Sequence, residues 1–391
     1  MTDRMKKRII VFKGSFDSLI FFAEQLAKSF EVLGYTVLIT DMKDTNSTLE
    51  QVYEFAEPGN TVAIFFNHGG LNLLTKDGKI LWNEIDADCY NWIVDHPMYY
   101  HEPIIFPIRK CTFLCVDQYH QKFIERFYGG KRKSYFLPLA GCSLIDDPIP
   151  FAQRSMEILF TGAYLVDDSI ELHTAGLSEG LADIWRECFF GLCRQTTMTI
   201  EQAIEHCLKE KGIYLSDEDL RDTVRLFKDM DGMLRSRARA NVIKTLADHD
   251  IKVYVYGEGW EYLDCRQENL VIHPRVSFEE SVRLAADAKI VLNVMPWFKA
   301  GVHDRVYTAM CNRSVSLTDG SEYINKQLTD GQNVIFYTID ELEKLPEIVN
   351  QYLGRPDLLE QIAEKGYSFA RNEESWLGRA KSLSKIFEGQ Q

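Results

Sequence analysis

The sequence lacks the long apolar stretches that membrane spans and secretory signals require. Its longest apolar runs are short segments such as SLIFFA and TVAIFF, well below the roughly 20 residues that cross a bilayer. The N-terminal stretch MTDRMKKRIIVF has no uninterrupted apolar segment followed by a small-residue cleavage site. We therefore expect no membrane span, no signal peptide and a cytoplasmic location.

Cysteine is present, but its spacing fits neither a disulfide framework nor a metal site. The chain has nine cysteines, an odd number, without a repeating interval. Cys111 and Cys115 are too far apart for a CxxC pair, and no second pair follows to complete a zinc site. The acidic pairs in DAD (86–88) and DMD (229–231) are interpreted as a turn and a helix surface. The sequence thus predicts reduced thiols and no bound metal.

Several motifs of common enzyme classes are also missing. No segment matches GxxxxGK[ST] or GxSxG, which argues against P-loop phosphoryl transfer and α/β-hydrolase chemistry. The loop KGSFDS near the N-terminus holds one glycine and is no GxGxxG fingerprint of dinucleotide binding. The formal net charge of −14 argues against nucleic acid or an anionic membrane as a general partner.

The chain does contain many short apolar runs that alternate with amphipathic segments. KRIIVF, a helical stretch and TVLIT read as one βαβ unit, and runs such as TVAIFF, CTFLCVD and KIVLNVM continue the pattern. This alternation is typical of a parallel sheet with helices on both faces. We predict an α/β fold with two tandem, doubly wound, Rossmann-like domains.

The proposed domain boundary lies in GCSLIDDPIPFAQRS (141–155), which has two prolines, an acidic pair and no periodicity. The length of 391 residues favours two domains, which we place at 1–150 and 151–371. Within the second domain, about residues 168–245 read as a helical insertion. The insertion either packs on the sheet or forms a pocket or a protein-partner surface, and its basic segment MDGMLRSRAR is interpreted as a solvated helix face.

Polar residues follow the predicted strands of both domains. Asn67 with His68, and Asp95 with His96, do so in the first domain. Because the carboxyl ends of parallel strands border the ligand crevice, these positions are candidates for a site. Each is also an ordinary place for a helix cap or turn residue.

The second domain offers a larger set of such candidates, and the segment GVHDRVYTAM (301–310) is central among them. A helix start exposes unpaired N–H groups, so histidine and arginine placed there predict a site for an anion, such as a diphosphate. The alternative is that Arg305 pairs with a carboxylate and His303 caps the turn. Tyr256 or Trp260 could cover a base or sugar, or belong to the core. The strand-end and helix-start candidates are Gly162, Tyr256, Gly257, Asn293, His303, Arg305 and Asp319.

Segments spread over most of the chain resemble a known family. They are FFNHGGLNL, WIVDHPMYYH, LCVDQYHQKFI, LFTGAY, VYGEGW, KIVLNVMPWFKAGVHDRVYTAMCNRSVSLTD and SWLGRA. Together they resemble the CgeB-like, family-1-type bacterial glycosyltransferases, whose two Rossmann-like domains form the GT-B architecture. The resemblance implies a final helix at about 372–391 that returns to the first domain.

The resemblance also implies the donor and its contacts. The donor would be a nucleoside-diphosphate sugar, with a UDP-sugar favoured, held by Gly162, Tyr256, Gly257, Asn293, His303 and Arg305. The family usually reads HERVFEAM where this chain has HDRVYTAM, so Thr308 replaces the second glutamate, which contacts donor hydroxyls. Thr308 can still form a hydrogen bond, but without charge. No cofactor other than the donor is implied.

The predicted reaction is metal-independent transfer of a sugar to an acceptor hydroxyl across an interdomain cleft. Arg305, with His303, would stabilise the leaving diphosphate, and Asp95 or His96 would take the acceptor proton in an inverting enzyme, whereas a retaining enzyme needs no such base. Asn67 and His68 would lie on the acceptor side, with a glycan, a protein or a small molecule as acceptor. The alternatives are a nucleotide-sugar 2-epimerase, a non-catalytic nucleotide-sugar-binding protein and an interaction scaffold.

Overall fold

The computed structural model describes residues 7–130, 132–145, 149–165 and 169–389. The chain divides into two compact units, one made of Met1–Ala140 with Asn372–Gln391 and the other of Gly141–Arg371. The link proposed from the sequence begins at this division, and its residues 146–148 lie outside the described residues, as does residue 168 at the start of the predicted insertion. No helix among the described residues is long and apolar enough to cross a membrane.

The first unit contains a six-stranded, fully parallel sheet. Its order is β2-β1-β3-β4-β5-β6, so the chain reverses its direction of travel between β1 and β3. β3 is buried along its whole length, as expected for a strand covered on both faces. The strands are β1 (Arg8–Phe12), β2 (Thr36–Thr40), β3 (Thr61–Phe66), β4 (Asp88–Ile93), β5 (Cys111–Cys115) and β6 (Lys133–Phe136).

Six α-helices accompany this sheet. The first, α1, is held by apolar residues that recur one turn apart, among them Phe22, Leu26 and Phe30, all of which are buried. Asp44 caps α2 by accepting from two backbone N–H groups. The helices are α1 (Asp17–Val32), α2 (Thr45–Phe55), α3 (Leu81–Glu84), α4 (His101–Ile105), α5 (Gln118–Phe127) and α16 (Trp376–Phe387).

The helix α16 is joined to the first unit by aromatic packing and by a buried arginine. Trp376 lies 5.2 Å from the Phe22 ring of α1 between centroids. Arg379 is buried; its Nε donates to the carbonyl oxygen of Pro138 at 2.6 Å, and the same guanidinium pairs with the carboxylate of Glu374. Because the backbone oxygen after β6 has an arginine as its partner, α16 is an integral part of this unit.

The second unit contains another six-stranded parallel sheet, in the order β12-β11-β10-β7-β8-β9. Counted within the unit, this is the 3-2-1-4-5-6 order of nucleotide-binding doubly wound sheets, and its topological switch point lies between β7 and β10. The strands are β7 (Met156–Thr161), β8 (Val253–Tyr256), β9 (Leu270–His273), β10 (Ala288–Asn293), β11 (Val315–Asp319) and β12 (Ile335–Tyr337).

Alternate residues of these strands enter two separate apolar clusters, one on each face of the sheet. Ile158 and Phe160 of β7 belong to the larger cluster, whereas Leu159 between them belongs to the smaller one. The period of two along the strand and the cover on both faces account for the apolar runs in the sequence. Two parallel sheets with flanking helices confirm the predicted α/β class.

The described residues between β7 and β8 form five α-helices, where a single crossover helix would suffice. Thr199 and Gln202 form a capping box at the start of α8, and Ser216 caps α9. The last of the five, α10, is the crossover helix, since its apolar residues join the larger cluster on the sheet. These helices are α6 (Ile170–Thr174), α7 (Glu179–Arg194), α8 (Ile200–Glu210), α9 (Asp217–Leu226) and α10 (Asp229–Asp248).

Within the second unit, the part of the chain that the structure describes has five more α-helices after β9. The start of α12 agrees with the helix predicted at GVHDRVYTAM. They are α11 (Phe278–Ala286), α12 (Asp304–Cys311), α13 (Ile324–Gln327), α14 (Leu345–Leu353) and α15 (Pro356–Glu373).

Candidate functional site

The switch point of the second sheet is bridged by the side chain of Arg305. Its Nη1 donates to Oδ1 of Asn293 at the end of β10 at 2.9 Å, and its Nη2 donates to the carbonyl oxygen of Thr161 at the end of β7 at 2.8 Å. The guanidinium also lies 5.3 Å from the ring centroid of Phe160. Two of the five N–H donors are used here, which leaves three for a ligand.

The amide of Asn293 is itself fixed in orientation. Asn293 is buried, and its Nδ2 donates to Oγ1 of Thr318 at 2.9 Å, so the amide oxygen is the end that faces Arg305. The hydroxyl of Tyr337 donates to the carbonyl oxygen of the same residue at 2.8 Å. Neighbouring strands therefore hold the group that positions the arginine.

His303 caps the helix α12, as one of the two sequence interpretations held. Its Nδ1 accepts from the backbone N–H of Arg305 at 3.2 Å and also lies 3.0 Å from Oδ1 of Asp304. A single Nδ1 cannot accept from the amide and donate to the carboxylate at once. Burial lowers the pKa of His303, so we assign the neutral ring with Nδ1 as acceptor. Arg305, in contrast, is hydrogen-bonded to neutral oxygen atoms and to no carboxylate among the described residues.

Two further arginines from α10 lie beside this helix start. The guanidinium carbons of Arg235 and Arg239 are 5.4 Å and 5.3 Å from the ring centroid of Trp297, and that ring is 6.4 Å from the ring of His303. Cation–π contacts of this kind hold a guanidinium without neutralising it. Arg235, Arg239 and Arg305 together form what we name the arginine cluster.

Arg239 is the least compensated member of the arginine cluster. Its Nη1 donates to the carbonyl oxygen of Ala163 at 3.4 Å, while its Nε is enclosed and has no hydrogen-bond partner among the described residues. Burial, followed by the positive charges of Arg305 and Arg235, lowers the pKa of Arg239 to about 9. A buried cation among like charges is costly unless an anion approaches it. The geometry therefore favours an anionic ligand at this point.

This placement corrects the interpretation of MDGMLRSRAR as a solvated helix face. Arg239 is half-buried with its Nε enclosed, and Asp231, which we assigned to a helix surface, is buried and pairs with Arg235 at 2.6 Å. The available sequence signal was the spacing of Arg235 and Arg239, four residues apart and so on one helical face. This spacing did not indicate which residues that face of the helix would contact.

The backbone segment next to the arginine cluster contains two glycines in close contact. A Cβ added at Gly257 would lie 2.2 Å from the carbonyl oxygen of Gly162, so only glycine fits there. A Cβ added at Gly162, whose φ is +152°, would lie 3.9 Å from the guanidinium carbon of Arg239. The two predicted glycines are thus brought together next to the arginines.

Trp260 has a different role from the one that the sequence suggested. Its side chain is 0% exposed, and its Nε1 donates to the carbonyl oxygen of Gly162 at 2.7 Å. A fully buried indole cannot cover a nucleobase or a sugar. The structure therefore corrects that prediction: Trp260 positions the glycine loop.

The other predicted donor residues lie around this centre. Tyr256 is stacked on His273 at 4.3 Å, with 12° between the ring planes. Thr308 is 5% exposed, and its Oγ1 accepts from the backbone N–H of Cys142 at 3.3 Å. Asp319 is buried and accepts from the N–H of Met295 at 2.8 Å; burial raises the pKa of its carboxyl to about 7.

In the first unit, the ends of β3 and β4 are joined by polar side chains. Nδ2 of Asn67 donates to Oδ2 of Asp95 at 3.1 Å, and the hydroxyl of Tyr100 donates to the same oxygen at 2.9 Å. Asn67 and His68 both have a positive φ, 49° and 71°, which marks a tight turn at the strand end. Burial lowers the pKa of His68. Asn67, His68, Asp95 and Tyr100 form what we name the Asp95 cluster.

His96 does not belong to that cluster. Its Nδ1 accepts from the backbone N–H of Met98 at 3.1 Å, and its ring is packed against His120 and Phe123 at 4.8 Å and 4.9 Å. Its Nε2 is enclosed by protein. His96 is therefore a capping residue, and of the two candidate bases the geometry favours Asp95.

The described residues contain no group of three or more His, Cys, Asp or Glu side chains that could hold a metal ion. Positive charge in the second unit is instead supplied by guanidinium groups, which bind phosphate oxygens in a forked geometry. The arginine cluster is thus suited to an anion such as a diphosphate, and the Asp95 cluster to a hydroxyl group or a proton.

Residues 235–385, which include the arginine cluster, match a family model described as glycosyl transferase-like. No curated protein matches the sequence. Among solved structures, the sucrose-phosphate synthase of Thermosynechococcus elongatus is similar with a TM-score of 0.55 and 7% identity, over 98% of this chain and 99% of that chain.

Two solved glucosyltransferases are also similar in fold. One is an alpha-glucosyltransferase in complex with UDP-glucose and DNA containing an abasic site, with a TM-score of 0.55 and 10% identity over 98% of this chain and 100% of that chain. The other is a DNA-modifying beta-glucosyltransferase studied with and without uridine diphosphoglucose, with a TM-score of 0.52 and 9% identity over 98% of both chains.

These comparisons confirm the predicted GT-B architecture. The match of residues 235–385 to the glycosyl transferase-like model supports the predicted class of enzyme, but it covers less than half of the chain, so the family-1-type assignment stays a prediction. The CgeB-like subtype stays a prediction.

Proposed function

We propose that this protein transfers a sugar from a nucleoside-diphosphate sugar to an acceptor hydroxyl, and that its second unit binds the donor through the arginine cluster. The observation that carries the proposal is Arg239, whose enclosed Nε has no partner and whose neighbours include another arginine and no offsetting carboxylate at hydrogen-bond distance among the described residues. A diphosphate supplies the missing negative charge and acceptor oxygens.

The leaving group of such a transfer is the nucleoside diphosphate, on which negative charge grows as the sugar departs. Donors that are already in position stabilise that charge without reorganisation. Arg305 meets this condition, because Asn293 and Thr161 hold its guanidinium while three N–H donors remain. We propose that these groups replace a divalent cation, so that the reaction is metal-independent and needs no cofactor beyond the donor.

UDP is the favoured nucleotide. Two of the solved glucosyltransferases with this fold were studied with UDP-glucose, which is also named uridine diphosphoglucose. The acceptor is proposed to be a glycan, a protein or a small molecule. DNA, which is named for both of those glucosyltransferases, does not suit a chain with a formal charge of −14. In the first unit, Asp95 is the candidate base for the acceptor proton.

Calorimetric titration with UDP and with UMP, both in the presence of EDTA, tests the donor site. If the arginine cluster binds the diphosphate, UDP should bind at least about tenfold more tightly than UMP, since one or more charge-assisted hydrogen bonds depend on the second phosphate. Equal affinities for the two nucleotides, or binding that requires a divalent cation, would contradict the assignment.

Product analysis with UDP-sugars then separates the reaction classes. Transfer requires an acceptor for rapid donor consumption, whereas an epimerase would convert the donor without one. Tight UDP binding without turnover over a broad panel of donors and acceptors would identify a binding protein instead.

A further inference from the structure

The helix α10 has a second solvent-accessible face, opposite the one that carries Arg235 and Arg239. Arg237 lies two residues from both Arg235 and Arg239, which at about 100° per residue is about 200° around the helix. That opposite face lines a cavity of about 430 Å³, which we name the α10 cavity. Its volume falls within the range of roughly 300–1,000 Å³ that is typical of small-molecule sites.

The floor of the α10 cavity is rigid and apolar. It includes Phe189, Met233 and Leu263, all of which are buried. The ring of Phe189 is stacked on Trp185 at 5.2 Å with 18° between the planes, which fixes its orientation. A preformed floor of this kind costs a ligand little ordering of the protein.

Aromatic rings stand along the wall and the rim. Tyr164 is held in place by stacking on Trp260 at 5.6 Å. Tyr262, in contrast, is 66% exposed, although its ring lines the cavity. An exposed tyrosine beside a preformed cavity offers an apolar ring face and a hydroxyl to whatever enters.

The polar groups of the rim are mixed in sign. Arg237 and Asn241, one helical turn apart, are both exposed and present a guanidinium and an amide. Lys244 donates to the carbonyl oxygen of Asp264 and pairs with Asp248 at 3.1 Å, so its charge is offset. A rim with amide, hydroxyl and guanidinium groups but little net charge suits a neutral ligand with many hydroxyl groups.

We propose that the α10 cavity binds a carbohydrate, one or two sugar rings in size, as a site separate from the donor site. The C–H face of a pyranose packs against aromatic rings such as Tyr262, while its hydroxyl groups exchange hydrogen bonds with Asn241 and Arg237. The site is non-catalytic: it would retain a glycan on the second unit while the arginine cluster binds the nucleotide on the other face of α10.

Saturation-transfer NMR with soluble sugars tests this assignment on the full chain. The probes are the methyl glycosides of glucose, galactose and N-acetylglucosamine, together with maltose and lactose, each measured without UDP and with saturating UDP. At least one probe should receive saturation from the protein. Tyr262→Ala and Arg237→Ala should each weaken its binding by about fivefold or more, the size of one lost aromatic or hydrogen-bonded contact.

A matched control is Tyr214→Ala, which removes a tyrosine that is 77% exposed and does not line the α10 cavity. It should leave sugar binding unchanged. Because Tyr262 and Arg237 are exposed, their variants should also fold normally and keep the wild-type affinity for UDP.

Three results would overturn the proposal: no saturation of any probe, a signal that UDP abolishes, or a signal that survives both cavity substitutions. None of them depends on the donor assignment. If UDP itself failed to bind, the proposed function would be wrong, while the sugar measurement would still decide the role of the α10 cavity.

Discussion

The two units share a parallel-sheet architecture, but the residues at the carboxyl ends of their strands have opposite charges. Each has a six-stranded parallel sheet, and in each the polar residues gather at the carboxyl ends of adjacent strands. In the first unit, the Asp95 cluster is centred on a carboxylate whose oxygen accepts from Asn67 and Tyr100. In the second, the arginine cluster is cationic: neutral oxygens hold Arg305, the indole ring of Trp297 contacts Arg235 and Arg239, and Asp231 pairs with Arg235.

This contrast shows that a doubly wound sheet sets where a site lies, but not what the site binds. A carboxylate at the strand ends can accept a hydrogen bond from a hydroxyl group, whereas a cluster of arginines attracts an anion. The one buried carboxylate at the end of β11, Asp319, has its pKa raised to about 7 by burial, so at pH 6 it offsets little of the positive charge.

The largest expected effect is on turnover, in the first unit. Asp95→Asn keeps the shape of the side chain but removes its ability to accept a proton. If Asp95 is the base, turnover should fall on the order of 100-fold or more, while the affinity for UDP stays unchanged. Steady-state kinetics and UDP titration measure both quantities.

Asp117→Asn is a suitable control for this substitution. Asp117 also follows a strand of the first sheet, but its carboxylate caps α5 by accepting from the N–H of Tyr119 at 2.6 Å. The control should lower stability and leave turnover per folded molecule intact. Wild-type turnover of Asp95→Asn would show that the first unit supplies no essential carboxylate base.

The next effect concerns nucleotide affinity in the second unit. Arg239→Ala should weaken UDP binding by about 10- to 100-fold, because it removes a charge-assisted donor from an enclosed site. It should also reduce the preference for UDP over UMP. Titration calorimetry at constant ionic strength measures both changes.

Arg237→Ala, on the opposite face of the same helix, is the matched control for Arg239→Ala. It removes the same charge two residues away and should leave the UDP affinity within about twofold, because exposed charges are screened by salt. Equal losses in the two variants would mean that the charge of α10 as a whole, and not the arginine cluster, attracts the nucleotide.

A smaller effect is expected on stability at the glycine loop. Gly257→Ala places a methyl group 2.2 Å from the carbonyl oxygen of Gly162, so the backbone must move. The free energy of unfolding should fall by about 1–3 kcal/mol, and UDP affinity should fall with it. In contrast, Gly191→Ala in α7 meets no atom within 4 Å and should be neutral or slightly stabilising.

A further expected effect is a pH-dependent shift in melting temperature. The pKa of Asp319 is raised from 3.8 to about 7 by burial. Between these values the folded chain holds a proton that the unfolded chain has released, so the stabilisation present at low pH is lost as the pH rises towards 7. Asp319→Asn cannot ionise and avoids this loss.

The melting temperature of Asp319→Asn relative to the wild type should therefore increase from pH 4 to pH 8. Each kcal/mol corresponds to about 2–4 °C for a unit of this size. Thermal melts in matched buffers measure the difference, and a difference that stays constant over this range would argue against a protonated Asp319 in the folded chain.

Much of the fold and part of the site could be predicted from the sequence. The apolar runs located the strands, because strands covered on both faces are continuously apolar. The role of His303 as a cap could be considered in advance, since the helix whose N–H group it accepts from begins at the next residue. A helix cap of this kind involves residues that are neighbours in the sequence, so it can be predicted from the sequence.

What the sequence did not disclose depends on contacts between distant segments. Arg239 belongs to the site because its face of α10 contacts Trp297. Trp260 does not line the site, because its indole is buried and donates to the carbonyl oxygen of Gly162. A helical pattern gives the spacing of a face, but it does not give the partner of that face. The same limit applies to His96, which the structure places against His120 and Phe123.

The packing of α16 has a consequence for how the protein is made. The first unit includes both the first strands and a helix that is translated only after the whole of the second unit. During synthesis on the ribosome, the aromatic face of α1 therefore stays exposed until Trp376 and Arg379 have left the ribosome. We expect the second unit to fold first during synthesis, and nascent chains stalled before residue 372 to depend on chaperones.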